Sequence, residues 1–306
     1  MSLPDLITTA RATQNASLAS LNSSNPSYLA SLITAASDCI RHATHRDFSS
    51  VSYTEYHSGG IYIREPLRLR QYPIAEITRV ATTPLPAISI VNSSGVANQR
   101  ATIETTSSGI RLTGIASANV TTNDLAYSTY TTLASIASAI NALGNGWSAQ
   151  TLGSFGNWPT TDLKPLQGAV SALGIARSFE IYTEDVSPFD NWPPGDCGDA
   201  MISTTNAGWR LDDETGQLYA RFPRGHLNIR VDYTAGYASI PQAVQEACVQ
   251  LVCDLYNAGL VNTTVKKATL GNGSFELQDQ SSTAVLSGKV SMLLAGYTDY
   301  SKTIFR

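Results

Sequence analysis

The sequence predicts an α+β fold, in which helices from both chain ends pack with a small antiparallel sheet and the middle of the chain forms an inserted mixed α/β domain. Three observations support it: apolar residues recur with helical spacing near both ends, short alternating segments lie between them, and the composition changes between residues 87 and 190. We therefore expect a discontinuous domain made of residues 1–86 and 191–306, which ends in an arm over residues 262–306, and an inserted domain over residues 87–190.

Two helices are predicted in the N-terminal region. The first spans Pro4 to Thr13. The second begins where Asn25 can cap a helix and Pro26 can take its first position. Its apolar residues recur every three or four positions and would form one buried stripe, which consists of Leu29, Leu32, Ile33, Ala36, Ile40 and Ala43.

Strand patterns follow the second helix and return after the middle of the chain. β-branched or alternating residues predict strands at Val51–Tyr56, at Ile61–Ile63 and within Leu67–Val80. Later, a hairpin is predicted around the turn Asp213–Gly216, and Leu227–Tyr233 alternates with period two. These strands would form the small antiparallel sheet.

The middle region is poor in Lys and rich in Ser, Thr, Ala and Gly. A hairpin is predicted from Ala101–Thr105 and Ile110–Thr113, with Gly109 in the turn. A helix over Thr132–Leu143 and a strand over Trp147–Leu152 follow. Such a β-β-α-β unit can fold on its own, so we interpret it as an inserted domain.

The C-terminal region combines a well-specified helix with a tail. The helix has Pro241 in its first turn and ends at Gly259. Beyond Asn262 the chain is polar, yet its end carries Leu293, Leu294, Tyr297, Tyr300, Ile304 and Phe305. Apolar anchors on a polar tether are typical of a docking arm. The alternative is that Ala284–Leu294 packs on the subunit's own helices.

Composition and charge limit the possible partners. Charged residues make up only 14% of the chain, against roughly 25% in average soluble proteins. The net charge is −4 and no basic stripe is present, so we do not expect the protein to grip nucleic acid. No signal peptide or membrane span is predicted. The four cysteines form no Cys-x-x-Cys pair and are expected to be free thiols in a reducing cytoplasm.

No pattern in the sequence calls for catalysis, a cofactor or a metal. A Gly-x-Ser-x-Gly elbow and phosphate-binding glycine motifs are missing, which argues against a hydrolase. Cys39, His42 and His45 have spacings that zinc ligands use, but no fourth ligand is evident and the histidines flank the buried stripe. The acidic residues between Asp196 and Glu214 lack the spacing of a calcium loop. We expect no catalytic, cofactor or metal residues and no enzyme activity.

Several phrases, in this order along the chain, resemble one family. The phrase His42–Phe48 closes the second helix, and Tyr72-Pro73-Ile74 leads into a strand. The phrase Val231–Tyr237 leads from a strand to Pro241, where Gly236 can take a positive φ and Tyr233 and Tyr237 can pack the joint. Leu270–Phe275 and Leu293–Tyr297 follow. Read alone, Val231–Tyr237 is an ordinary strand-turn-helix joint. Together, the phrases resemble the head-tail connector, or adaptor, family of tailed bacteriophages, over residues 5–83 and 205–298.

The resemblance implies a structural virion protein of the neck, at the head-tail interface. It implies a homo-oligomeric ring of twelve copies that docks under the portal protein, receives a downstream neck or tail protein and lets the genome DNA pass without specific binding. In such a ring, we expect the C-terminal arm predicted above to dock on the portal through its apolar residues Leu293, Leu294, Tyr297, Tyr300, Ile304 and Phe305. Assembly would take place in the host cytoplasm, with no membrane involved.

A second function class remains open at this point. The Ser- and Thr-rich middle contains Trp147 and Trp158, and Trp192 follows it. Exposed tryptophans stack on sugar rings, so a carbohydrate-binding or adhesin-like virion protein is the alternative.

Overall fold

The predicted α+β class with a small sheet is wrong, because the protein is mostly β. The structure, a computed structural model, describes residues 3–59, 66–93, 98–117, 119–188, 208–220, 222–260, 267–270, 273–276 and 287–298. Strand accounts for 40% and helix for 31%. The difference has two reasons. The sequence patterns predicted short strands where the chain forms long ones, and they did not reveal the strands Asn119–Ala126, Val170–Ser171 and Arg177–Asp185.

The bounds of the elements are as follows. The helices are α1 (Thr9–Ala12), α2 (Ala16–Ser24), α3 (Pro26–Thr44), α4 (Leu133–Ala142), α5 (Gln242–Leu260) and α6 (Gly288–Leu294). The strands are β1 (Val51–Gly59), β2 (Leu67–Arg68), β3 (Ile74–Asn92), β4 (Arg100–Thr105), β5 (Gly109–Ala116), β6 (Asn119–Ala126), β7 (Trp147–Thr151), β8 (Val170–Ser171), β9 (Arg177–Asp185), β10 (Trp209–Asp212), β11 (Gln217–Ala220), β12 (Gly225–Ala235), β13 (Lys267–Leu270) and β14 (Gly273–Glu276).

The main sheet is organised around β3, a strand of 19 residues. Its order is β1-β12-β3-β7, with β9 also paired to β3, and all pairs are antiparallel. Along β3, the pairing with β12 covers Ile74 to Ala81, and the pairing with β7 covers Ile88 to Asn92. Pro84 and Pro86 lie between these two stretches, where β9 is the only paired strand among the described residues. Proline lacks an N–H group and is tolerated at such a free edge.

The prolines therefore do not end the strand. The change of composition predicts a domain boundary after residue 86. In the structure this point falls inside β3, whose first half pairs with β12 and whose second half pairs with β7 and β9. The two predicted domains thus share one continuous strand.

The middle of the chain builds a second layer against β3. A four-stranded sheet of order β6-β5-β4-β8 contains the predicted hairpin, which is confirmed as β4 and β5. The predicted helix and the strand after it are confirmed as α4 and β7. The strands β6, β8 and β9 were not predicted. Side chains from both layers form one core that includes Ile88, Ile103, Leu112, Ile136 and Ile181.

The helices α1, α2, α3, α5 and α6 form a helical layer. Asn25 caps α3 as predicted, since its side chain accepts a hydrogen bond from the Tyr28 amide at 3.1 Å and Pro26 follows. The first predicted helix is shorter than expected, and α2 was missed. Buried apolar residues from all parts of this layer meet in one core, which includes Leu18, Leu29, Ile40, Val244, Leu251, Val290 and Leu294. No helix in the described part of the chain is long and apolar enough to cross a bilayer.

Candidate interaction site where the chain segments meet

Arg46 connects three distant parts of the chain. His45 ends α3 in the left-handed region, at φ 56°, and turns the chain so that Arg46 points inward. The Arg46 guanidinium donates hydrogen bonds to the carbonyl oxygens of Tyr72, at 2.7 Å, and Tyr297, at 3.4 Å. It also lies 4.2 Å above the Tyr72 ring, in cation–π geometry. Arg46 is only 7% exposed, and no carboxylate among the described residues pairs with it.

Three aromatic rings pack beside this arginine. Phe48 stacks on Tyr237 with ring centroids 6.3 Å apart, and Tyr297 meets Phe48 edge-on at 5.9 Å. Tyr237 and Tyr297 meet edge-on at 6.3 Å. These edge-to-face distances are those of favourable aromatic pairs. The segment after α6 is therefore held against the start of β1 and the end of β12.

Gly236 is packed tightly against backbone atoms at the same site. Its φ of 111° is a conformation that side chains disfavour, and a Cβ there would overlap the carbonyl oxygen of Ser49. The Gly236 amide donates to the Pro73 carbonyl at 2.9 Å, and the Tyr237 amide donates to the Phe48 carbonyl at 3.0 Å. We call the residues Arg46, Phe48, Tyr72, Gly236, Tyr237 and Tyr297 the junction.

A buried carboxylate supports the loop that enters the junction. Glu55 is 9% exposed and accepts hydrogen bonds from His57 at 2.9 Å, from the Tyr233 hydroxyl and from the Arg70 amide at 3.1 Å. The Tyr233 hydroxyl in turn accepts from the Gln71 amide at 3.2 Å. The loop before Ile74 is thus fixed by side chains of β1 and β12.

These contacts set the pKa values of the cluster. Burial raises the pKa of Glu55, but the hydrogen bonds from His57 and Tyr233 lower it, and its pKa lies below the usual value. Burial and the neighbouring Glu55 raise the pKa of the Tyr233 hydroxyl well above its usual value. Glu55 is therefore ionised at neutral pH and Tyr233 is a neutral donor. A charged acceptor with a neutral donor makes a strong hydrogen bond that holds β1 and β12 together.

A second polar cluster joins the middle of the chain to the main sheet. Asp162, which is 4% exposed, accepts from Arg79 at 2.7 Å, from Arg230 at 2.9 Å and from the Trp158 indole at 2.9 Å. Arg79 also pairs with Asp185 at 2.6 Å. We call Asp162, Arg79, Arg230 and Trp158 the Asp162 clamp. It connects a 3₁₀ turn in the middle of the chain to β3 and β12 of the main sheet.

The residues of the predicted structural motif lie close together. Of the predicted docking residues, only some are among the described ones. Tyr233, Gly236 and Tyr237 lie at or beside the junction, and the Pro241 carbonyl accepts the first hydrogen bonds of α5, from Val244 and Gln245 at 3.0 Å. Leu294 is 1% exposed in the helical core, and Leu293 and Tyr297 pack against that core. The remaining predicted docking residues, Tyr300, Ile304 and Phe305, lie outside the described residues.

The tryptophans, the cysteines and the possible metal ligands do not form a second site among the described residues. Trp147 is 6% exposed and cannot offer its face to a sugar, while Trp192 lies outside the described residues. Burial raises the pKa of the Cys248 thiol to about 12, so this thiol is inert. Cys39 and Cys253 are free and half-buried. Within the described ranges, no group of three or more His, Cys, Asp and Glu residues is placed to hold a metal ion.

Sequence reasoning missed the charged residues that organise both clusters. In the sequence, Arg46 stands out only as part of the phrase His42–Phe48, and no pattern marks Glu55 or Asp162 as buried. A charge inside an alternating apolar strand is a usable signal for Glu55, since a buried carboxylate needs partners. Asp162 lies in polar sequence, where no local pattern predicts burial.

The comparisons with known proteins do not assign the chain to a family. No model of a protein family matches it, and no curated protein matches it.

Proposed function

We propose that the protein is a structural subunit of a phage neck, a head-tail adaptor that forms a ring between the portal and the tail. The observation that carries the proposal is the junction. Four phrases that lie far apart in the sequence, and that together resemble the adaptor family, contribute residues to this one cluster: Arg46 and Phe48, Tyr72, Gly236 and Tyr237, and Tyr297. Their mutual contacts support the proposal, because the phrases on which the resemblance rests are parts of one structural unit.

The chemistry of the described residues favours assembly over catalysis. Three buried charged groups, Arg46, Glu55 and Asp162, direct their hydrogen bonds at backbone groups or at neighbouring side chains of the same chain. Such groups hold segments in place and leave little capacity for a substrate. A rigid subunit with fixed segments is suited to a ring, because each subunit must present the same surfaces to its neighbours.

The C-terminal segment supplies a route to the portal in this proposal. Tyr297 is anchored between Phe48 and Tyr237, so the end of the last described segment is held at a fixed point of the subunit. The residues beyond it include Tyr300, Ile304 and Phe305. Aromatic and aliphatic anchors of this kind contribute about 2 kcal/mol or more each when they enter a pocket on a partner.

Electron microscopy and light scattering test the proposal directly. The full chain is imaged alone and mixed with the portal protein of the same virus, with the portal alone as the control. We expect a ring seated coaxially on the portal and a particle mass that rises by a whole number of subunits. A species that stays monomeric by light scattering, both alone and with the portal, contradicts the proposal.

A ring of this kind would pass DNA without gripping it. The net charge of −4 offers little attraction for phosphate groups. Binding to duplex DNA at physiological salt should be no tighter than the roughly 10⁻⁴ to 10⁻⁶ M of non-specific binding. A nanomolar affinity that falls steeply with salt would instead indicate a DNA-binding protein. The carbohydrate-binding alternative is tested separately on a glycan array.

A further inference from the structure

The strand β6 is an edge that lacks the usual protection against pairing. Among the described residues its only neighbour is β5, and most of its eight residues are exposed. Its register with β5 has no bulge, and its sequence contains neither Lys nor Pro. Its one charged residue, Asp124, is paired to Arg111 at 2.7 Å. Natural edge strands are commonly blunted by lysines, prolines or bulges, and β6 has none of them.

The outer face of this sheet carries a row of threonines that ends at β6. Thr102 of β4 lies opposite Thr113 of β5, and Thr113 lies opposite Thr122 of β6. Cross-strand pairs of threonine stabilise a sheet, and the row stops only because the sheet stops. On the same face, Val120 and Asp124 flank Thr122 at two residues' distance.

We propose that β6 is the pairing site for β6 of a second copy of this chain, antiparallel, around a two-fold axis at Thr122. Each side chain then stays on its own face, as the pleat of a continuous sheet requires. Thr122 faces Thr122 of the other copy, and the row grows from three threonines to six. Val120 faces Asp124 of the other copy, so the two carboxylates are not opposed.

The occupant is a second copy because the edge is complementary to itself. The residue on the axis is uncharged, and the single negative charge of β6 is already neutralised by Arg111 within its own sheet. One pair of eight-residue strands buries less than the roughly 1,200 Å² of a standard interface, so the contact is weak in isolation. The inference does not rest on the proposed function, although a multi-copy assembly would strengthen the contact through avidity.

Charge substitution on the axis tests the pairing. In Thr122→Lys, two like charges face each other, and the same holds for Thr122→Asp. Sedimentation equilibrium of the full chain should show dimer association weakened about tenfold or more in each variant. An equimolar mixture of the two variants should restore dimers, which excludes misfolding as the cause. The matched control is Thr113→Lys, one strand inward in the same row, which should associate as the wild type does.

Cross-linking gives an independent readout. Thr122→Cys places two thiols opposite each other, and oxidation should yield a disulfide-linked dimer, whereas Thr113→Cys and the wild-type protein should not. The wild type is needed as a control because Cys39 and Cys253 are half-buried. Equal association of wild type, Thr122→Lys and Thr113→Lys overturns the proposal, as does a wild-type chain that is monomeric up to about 1 mM. Dimers that Thr122→Cys does not trap overturn the two-fold register.

Discussion

The guanidinium of Arg46 donates a hydrogen bond of 2.7 Å to the carbonyl oxygen of Tyr72 while it lies over the ring of that same residue. A single side chain thus satisfies a buried backbone acceptor and packs on the adjoining aromatic ring. Because the second hydrogen bond of Arg46 reaches Tyr297, the contact joins the end of α3 to the segment after α6.

Replacing this arginine should weaken the whole subunit. In Arg46→Met the apolar stem is kept, but the carbonyl oxygens of Tyr72 and Tyr297 lose their donor. We expect the free energy of unfolding to fall by about 2–3 kcal/mol, measured by urea denaturation. The control is Arg100→Met at the exposed start of β4, which should stay within about 0.5 kcal/mol of the wild type. Similar values for the two variants would mean that the junction does not stabilise the fold.

Gly236 should tolerate no side chain. Gly236→Ala must accept a disfavoured φ of 111° and a contact with the Ser49 carbonyl oxygen. We expect a loss of about 2 kcal/mol or more in unfolding free energy. Gly288→Ala is the matched control, since a Cβ at the start of α6 meets no atom within 4 Å. If thermal denaturation gives equal midpoints for both variants, the turn is less constrained than its geometry indicates.

Glu55 makes part of the stability pH-dependent. Its pKa is lower in the folded protein than its usual value of 4.5, so it contributes stability that is fully present above that value. This contribution is lost as the pH falls through the folded pKa. The variant Glu55→Gln should be less stable than the wild type by about 2 kcal/mol at pH 7, because hydrogen bonds to a charged group are replaced by weaker ones. The difference between the two proteins should shrink when denaturation is repeated below pH 4.5; a constant difference would refute the assignment.

The Asp162 clamp should hold the 3₁₀ turn Thr160–Asp162 against the main sheet. In Asp162→Asn, Arg79 and Arg230 lose their shared buried counter-charge, and we expect a cost of about 3 kcal/mol in unfolding free energy. The surface pair of Arg111 and Asp124 offers the control, because Asp124→Asn should cause no measurable change. Hydrogen exchange should locate the loosening in β3, β9 and β12. Exchange that is unchanged in these strands would contradict the clamp.

Removal of the last residues tests whether the C-terminus docks on the portal, provided that the helical core is left intact. Ending the chain before α6 would remove Val290 and Leu294, which are buried in the helical layer, and would confuse docking with folding. Ending it after Thr298 removes Tyr300, Ile304 and Phe305 and keeps the Tyr297 contacts. We expect this shortened protein to unfold like the full chain but to lose most of its portal binding in co-sedimentation. Undiminished binding would show that the docking surface lies elsewhere.

The sequence by itself determined the helix starts and turns that depend only on neighbouring residues. Asn25 and Pro26 mark the start of α3, Gly109 marks the hairpin of β4 and β5, and Gly236 marks the joint between β12 and α5. Each is a constraint on backbone conformation or on capping that neighbouring residues suffice to express.

Only the tertiary structure decided the fold class and the placement of the buried charges. Pro84 and Pro86 look like strand breakers in sequence, yet they are compatible with β3 because no strand pairs on their free side within the described residues. Arg46, Glu55 and Asp162 have partners more than ten residues away. Burial of a charge is tolerated only when the folded chain supplies hydrogen-bond partners for it. Because these partners are distant in the sequence, no local pattern could predict the contacts.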